Sequence, residues 1–277
     1  GGKDMDAMRR RQFDMQRLAG GVMPGDLVQG CLKIAGDGGT AQRGHQDAGQ
    51  TADRLGPRLP HERPWLMIAD ARTAGLPDSL HADLVIIGAG AAGITLALSL
   101  ANSMLDIVLV EAGGPKYSAA AQSFYAGEAV DPAGHSPVDM YRRRVFGGST
   151  TLWGGRCIPF DDIDFEDRPW MDFARWPIGP DDVAAHIPRA MQLLEAGCPE
   201  FEAGEALAGP PAMVDGVANE DILLDRIERF SKPTNFGARY RAELERAPNI
   251  RLFTNAPTTR ILLGSGGRVA GAVIDAG

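Results

Sequence analysis

The chain reads as an α/β protein built on a parallel sheet, and three stretches of its 277 residues say so. "ADLVIIGAG" (82–90) passes from a charged residue through four apolar residues into glycine, the pattern of a strand buried on both faces. "AAGITLALSLAN" (91–102) follows with helical content. "DIVLVEAGG" (106–114) is a second buried strand that ends at an acidic residue and a turn. Strand, glycine turn, helix and strand in that order make a βαβ unit.

Before this unit, residues 1–66 are rich in Gly, Gln, Asp and Arg and have few periodic apolar residues. Such a stretch buries too little to offset its ordering entropy. It is expected to be a disordered or non-native extension, with Met67 a candidate start. "MRRRQFDMQRL" (8–18) carries the arginines of an export signal, but Asp14, Gln16 and Arg17 interrupt the apolar region that such a signal needs. A cytoplasmic location is expected, with periplasmic export the open alternative.

After the unit, 115–145 is irregular. "IPFDDIDFEDRPWM" (158–171) reads as an acidic loop. A helix is expected within 176–197, opened by Pro180, Asp181 and Asp182. The last stretch, 236–277, reads as a helix and then strands at "IRLFTN", "TRILLG" and "RVAGAVID". The last two form a hairpin around Gly264, Ser265, Gly266 and Gly267.

The bulk composition narrows the function. The chain is 44% hydrophobic and 23% charged, with a net charge of -8. That balance argues against nucleic acid or an anionic membrane surface as the main partner. Cys31, Cys157 and Cys198 are far apart and form no CxxC, which gives neither a disulfide framework nor a zinc site. No apolar run is long enough for an integral membrane helix.

"GAGAAG" (88–93) matches GxGxxG, a weak signal alone in a chain with 35 glycines. Its context strengthens it, since it follows a strand and opens a helix, and Glu111 ends the next strand. Gly88 permits the tight turn, Gly90 the close approach of a pyrophosphate, and Gly93 close packing of helix on strand. The first helical residues, Ala91 and Ala92, offer free N–H groups and the positive end of the helix dipole to the phosphates. Glu111, with Ala112 beside it, is placed to accept hydrogen bonds from an adenosine ribose. The cofactor is thus an adenine dinucleotide, FAD or NAD, and an acidic residue at 111 disfavours NADP.

"RVFGGSTTLWGGRC" (144–157) adds a second glycine-rich loop. The order "DLVIIGAGAAG", "IVLVEAGG", "RVFGGSTTLWGG" resembles the glucose–methanol–choline (GMC) family of FAD-dependent oxidoreductases, over about 67–277. The resemblance implies a Rossmann-like FAD-binding domain, incomplete at its C-terminal end. Residues 67–277 would form its N-terminal part with the start of the substrate domain. It implies that Gly147, Gly148, Ser149 and Thr150 lie against the flavin ring, with Leu152, Trp153 and Gly154 completing the loop. "NIRLFTNAPTTRI" (249–261) resembles the strand whose valine meets the adenine through its backbone, with Thr258 at that position.

The sequence departs from the family in two ways. Trp153 stands where Asn or His is usual; it either adjoins the ring or packs in the core. Leu152 stands where the pyranose oxidase branch has a histidine bonded to the flavin. Leucine carries no nucleophile, so FAD would be held non-covalently at this site.

The resemblance also implies hydride transfer from the CH–OH group of an alcohol or sugar to flavin N5, an electron acceptor left unspecified, and a histidine base. The family's catalytic pair is expected beyond Gly277, so no catalytic residue is assigned. His45, His61, His81, His135 and His186 do not match it, and each is read as non-catalytic. "DDIDFED" (161–167) is read as a solvated acidic loop rather than a metal site. Cys157 has no basic partner to activate it. The alternative reading is a non-catalytic dinucleotide-binding module or subunit holding FAD or NAD. The loop at 147–155 separates the two, because an NAD module does not need it.

Overall fold

The structure, a computed structural model, describes residues 30–35, 67–171, 174–207, 214 and 224–276, and of 30–35 the backbone strand alone. In chain order the elements are β1 (Gly30–Ala35), β2 (Ile68–Asp70), β3 (Ser79–Ala82), β4 (Leu84–Ile87), α1 (Ala91–Ser99), β5 (Ile107–Val110) and α2 (Ala119–Gln122). There follow β6 (Arg156–Cys157), α3 (Pro180–Ala184), α4 (Ile187–Leu194), α5 (Ala203–Ala206) and β7 (Arg229–Phe230). The described part closes with α6 (Phe236–Arg246), β8 (Ile250–Thr254), β9 (Thr258–Leu263) and β10 (Val269–Asp275).

The expected βαβ unit is present. A parallel sheet runs in the order β2-β8-β5-β4, with Val85 opposite Val108 and Leu109 opposite Leu252. β5 has a neighbour on each side and alternates its side chains between two cores. Ile107 and Leu109 join the core beneath α1 and α6. Val108 and Val110 join the opposite core with Leu80, Ala272 and Ile274. This explains why "IVLV" is apolar at every position, since neither face meets water.

β4 differs from expectation. It pairs with β5 alone and stands at the sheet edge, so it is not fully buried. Ile86 is in the core, while Ile87 is 51% exposed. The apolar run reports a strand that needs cover, and among the described residues only one side supplies it.

A second sheet runs β3-β1-β10-β9. β9 and β10 are antiparallel, the expected hairpin, with a 3-10 turn at Ser265–Gly267. β1 lies between β3 and β10, so Gly30–Ala35 is a strand inside the stretch expected to be disordered. The low apolar content of 1–66 as a whole hid one short β segment, and the rest of that stretch lies outside the described residues. β3 was also unforeseen, because "SLHA" is too short and mixed for a period-2 signal.

α6 forms for local reasons. Asn235 caps it by accepting the Ala238 N–H at 3.1 Å. Phe236, Tyr240 and Leu244 recur every four residues and are buried. Each such burial contributes about 1.5–3 kcal/mol. The helix expected within 176–197 is instead two pieces, α3 and α4, broken at Ala185 and His186. Pro188 has no N–H to continue the first helix and suits the first turn of a new one.

Candidate functional site: two glycine loops joined backbone to backbone

The turn between β4 and α1 is shaped as its glycines require. Gly88 has φ +98, a conformation that side chains rarely adopt, and a Cβ there would meet open space. At Gly93 a Cβ would lie 1.9 Å from the Gly88 carbonyl oxygen, so the helix could not pack against its own entry turn. α1 begins at Ala91 with Gly90 as its cap and no side chain on its first-turn N–H groups. Those donors, on Ala91 and the exposed Ala92, remain free for an anion, as the dipole favours.

Glu111 sits at the end of β5 and is 6% exposed. Its carboxylate accepts the Ala89 N–H at 2.9 Å and the Gly113 N–H at 2.8 Å. Burial pushes its pKa up, and the two backbone donors and the Arg144 guanidinium pull it back only in part. Each carboxylate oxygen has a second lone pair, enough to accept a pair of ribose hydroxyls. Ala112, half-buried, lines a cleft of about 630 Å³ that begins beside it.

The second loop lies on the first. The Gly147 N–H donates to the Ala89 carbonyl at 2.9 Å. Gly147 and Gly148 both have positive φ, +97 and +56. A Cβ on Gly148 would lie 2.9 Å from the Gly90 Cα, and one on Gly147 would lie 2.8 Å from the Gly237 backbone N in α6. The loop is thus clamped between the α1 entry turn and the start of α6.

Its hydroxyls hold it in that shape. Ser149 Oγ accepts the Arg143 N–H and donates to the Tyr141 carbonyl. Thr150 Oγ1 donates to the Gly147 carbonyl at 2.6 Å and accepts the Phe236 N–H at 3.0 Å. Leu152 is 42% exposed, and a Cβ on Gly154 would meet nothing within 4 Å.

Trp153 packs on one side into the protein. Its indole N–H donates to the Thr234 carbonyl at 3.2 Å, and its ring lies against the small core of Cys157, Met191 and Ala196. Thr258 opens β9 opposite Ile274, next to Pro257 on the wall of the cleft. Its buried Oγ1 has no hydrogen-bond partner.

The remaining candidates stay away from this site. His81 lies in β3, His135 and His186 are exposed, and none of the three lines a cleft here. His45 and His61 lie outside the described residues. Burial pushes the Cys157 thiol up, which keeps it protonated and inert. In the acidic stretch, Asp164 accepts the Asp161 N–H and Asp161 pairs with Arg226 at the surface.

The structure brings Gly88, Gly90, Gly93, Glu111, Gly147 and Gly148 together. Sequence reasoning missed Gly237, which has no motif around it. A Cβ there would lie 2.5 Å from the Phe146 carbonyl, a contact visible only in three dimensions.

Comparison with known proteins identifies the family. Residues 83–277 match the FAD dependent oxidoreductase family. No curated protein matches the chain. Among solved structures, a pyridoxine 4-oxidase from Mesorbium loti is similar at 18% identity, covering 70% of this chain and 48% of that one, with a TM-score of 0.32. A formate oxidase is similar at 14% identity over 70% of this chain and 44% of that one, TM-score 0.31. A formate oxidase variant from Aspergillus oryzae RIB40 gives 15% identity with the same coverage and a TM-score of 0.31. The chain therefore spans less than half the length of these structures. Among the described residues no helix is long and apolar enough to cross a membrane.

Proposed function

The chain belongs to the FAD dependent oxidoreductase family, and from that premise we propose that FAD lies along the two joined glycine loops and serves the oxidation of a CH–OH group in an alcohol or sugar. When bound, FAD supplies a two-electron acceptor for the substrate's hydride. The residues fit the group. The first-turn N–H groups of Ala91 and Ala92 face the pyrophosphate, and Gly90 leaves room for it. Glu111 accepts the ribose hydroxyls, and Thr258 meets the adenine through its backbone. Gly147 through Thr150 lie against the ring system, with the backbone of Leu152, Trp153 and Gly154 beyond them.

The observation that carries this reading is the contact between the loops. The Gly147 N–H bonds to the Ala89 carbonyl, and Gly148 leaves no space for a Cβ above Gly90. A nicotinamide dinucleotide module has no use for the second loop. A ligand that runs from the α1 entry across the Gly147–Gly148 turn does. The motif order resembles that of GMC oxidoreductases, and the CH–OH substrate class follows from that resemblance. The proton-accepting base is not assigned to any described residue.

The test is a titration of the apoprotein with FAD and with NAD, followed by quenching of flavin fluorescence and by calorimetry. Saturable FAD binding with no NAD binding is expected. Loss of the oxidised-flavin absorbance on anaerobic addition of alcohols or aldoses then identifies the substrate class. Binding of NAD without FAD would overturn the proposal and leave a non-catalytic dinucleotide-binding module.

A further inference from the structure

A second cleft, of about 590 Å³, opens where three parts of the chain meet beside the second glycine loop. A bridge between Gly114 and Val145, with the Phe146 N–H donating to the Gly114 carbonyl at 3.0 Å, lays the turn after β5 along the segment that leads into the loop. That pairing brings Lys116 and Arg143 to one cleft. The third wall is the start of α6, which comes close because Gly237 has no Cβ to strike the Phe146 carbonyl. Arg241 stands four residues after Gly237, on the same helix face, and lines the cleft too. No residue of the 88–93 turn lines it, so the cleft lies on the α6 side of the second loop, away from the α1 entry.

The charge of this cleft is unlike that of the chain. Acidic residues outnumber basic ones 36 to 28 overall, yet Lys116, Arg143 and Arg241 line the cleft with no carboxylate among its wall residues. Lys116 has no ion pair or hydrogen bond among the described residues. Arg143 is fixed at its backbone, where its N–H donates to Ser149 Oγ at 3.2 Å, and its guanidinium is held 5.0 Å from the centre of the Tyr117 ring. Neither contact uses a guanidinium N–H as a hydrogen-bond donor to oxygen or nitrogen. Arg241 has a partner, Glu245, one turn further along α6. All three cations are exposed, so a molecule in the cleft can reach them. Val145 and Phe146, both buried, add an apolar part to the wall, and the volume lies in the range of small-molecule sites. Cations gathered with no carboxylate between them repel one another, and a bound anion removes that repulsion. A carboxylate brings a single charge and matches one arginine fork, whereas a phosphate monoester brings nearly two charges and three terminal oxygens, enough for three cations. We propose that this cleft is a binding site for the phosphate group of a small phosphorylated molecule, held by Lys116, Arg143 and Arg241 and distinct from the α1 entry turn. The site is built from these residues alone, wherever FAD lies.

The experiment titrates the whole chain with inorganic phosphate, glycerol 3-phosphate, AMP and acetate at constant ionic strength, read by calorimetry. The phosphate compounds should saturate and bind about tenfold or more tighter than acetate. Arg143→Gln should weaken glycerol 3-phosphate about fivefold or more, and Lys116→Gln should weaken it further in the same chain. Both positions are exposed, so the melting temperature should stay within about 2 °C. Glu245→Gln releases Arg241 and should tighten glycerol 3-phosphate about twofold. Asp167→Asn removes the same charge beside Arg175, outside the cleft, and should leave binding unchanged. Tighter Arg143-dependent binding of glycerol 3-phosphate than of AMP would support the site and identify an ester of a small alcohol as its ligand. The reverse order, with the same dependence, would support it and identify a nucleotide. Phosphate binding that is unchanged in Arg143→Gln would place the anion elsewhere, such as the α1 entry, and overturn the proposal. Acetate binding as tight as phosphate, or no saturable binding of any phosphate compound, would overturn it as well.

Discussion

The two glycine loops reach the same site by different physics. In the first, Gly88 and Gly93 answer to their own neighbourhood. Gly88 needs its positive φ for the turn, and Gly93 makes way for the carbonyl of Gly88 itself. In the second, three of the four glycines answer to a distant segment. Gly147 makes way for Gly237, Gly148 for Gly90, and Gly155 for the Ser231 carbonyl. A local motif is therefore legible in one stretch of sequence, while the second loop acquires its meaning only when three parts of the chain meet.

Substitutions can break this contrast, starting with the largest effect. Gly93→Ala places a Cβ 1.9 Å from backbone oxygen, with no flexible side chain to give way. It should cost about 3 kcal/mol in urea unfolding and lose FAD binding with the fold. Gly148→Ala adds a left-handed conformation to a 2.9 Å approach on Gly90. It should cost about 1–2 kcal/mol, leave the protein folded and weaken FAD more than it weakens the fold. Equal losses in the two measurements would mean that the second loop is only a structural brace.

A pH titration acts on the first loop alone. Burial raises the Glu111 pKa above its ordinary 4.5. The contribution of this carboxyl to fold stability is therefore full below that ordinary value and is lost as pH rises through the raised one. Cofactor binding runs the other way, since the ribose hydroxyls need an ionised acceptor. FAD affinity should fall as pH drops through the raised value, while FMN affinity stays flat over the same range. The smallest effect on stability belongs to Gly154→Ala, whose Cβ meets nothing within 4 Å. Unfolding should shift by less than about 0.5 kcal/mol. A drop in flavin affinity at that position would sharpen the contrast, because only a ligand could be in the way.

The same division explains what was legible in the sequence. "LVIIGAGAAG" and "IVLVEAGG" gave strand, turn, helix and strand correctly, because each residue's role there is set within a few positions. The hairpin of β9 and β10 was readable for the same reason. The break at His186 was missed although Pro188 marks it, since the apolar spacing runs through both helices. The exposed edge at Ile87 was not readable at all. An apolar run states that a strand needs neighbours and not how many it has. Gly237 was missed because its tight fit depends on Phe146, which lies far from it in the chain.

The hydrogen bond from Gly147 to Ala89 also ties the timing of events in the molecule to their geometry. The two residues are far apart in the chain, so the bond closes a long loop of backbone. The amide proton of Gly147 is then a clock for the second loop. It trades with solvent deuterium each time the loop lifts from the α1 entry, whether or not the rest of the sheet opens. A slowing of exchange at this one amide when a nucleotide is added would record the two loops closing on a shared ligand.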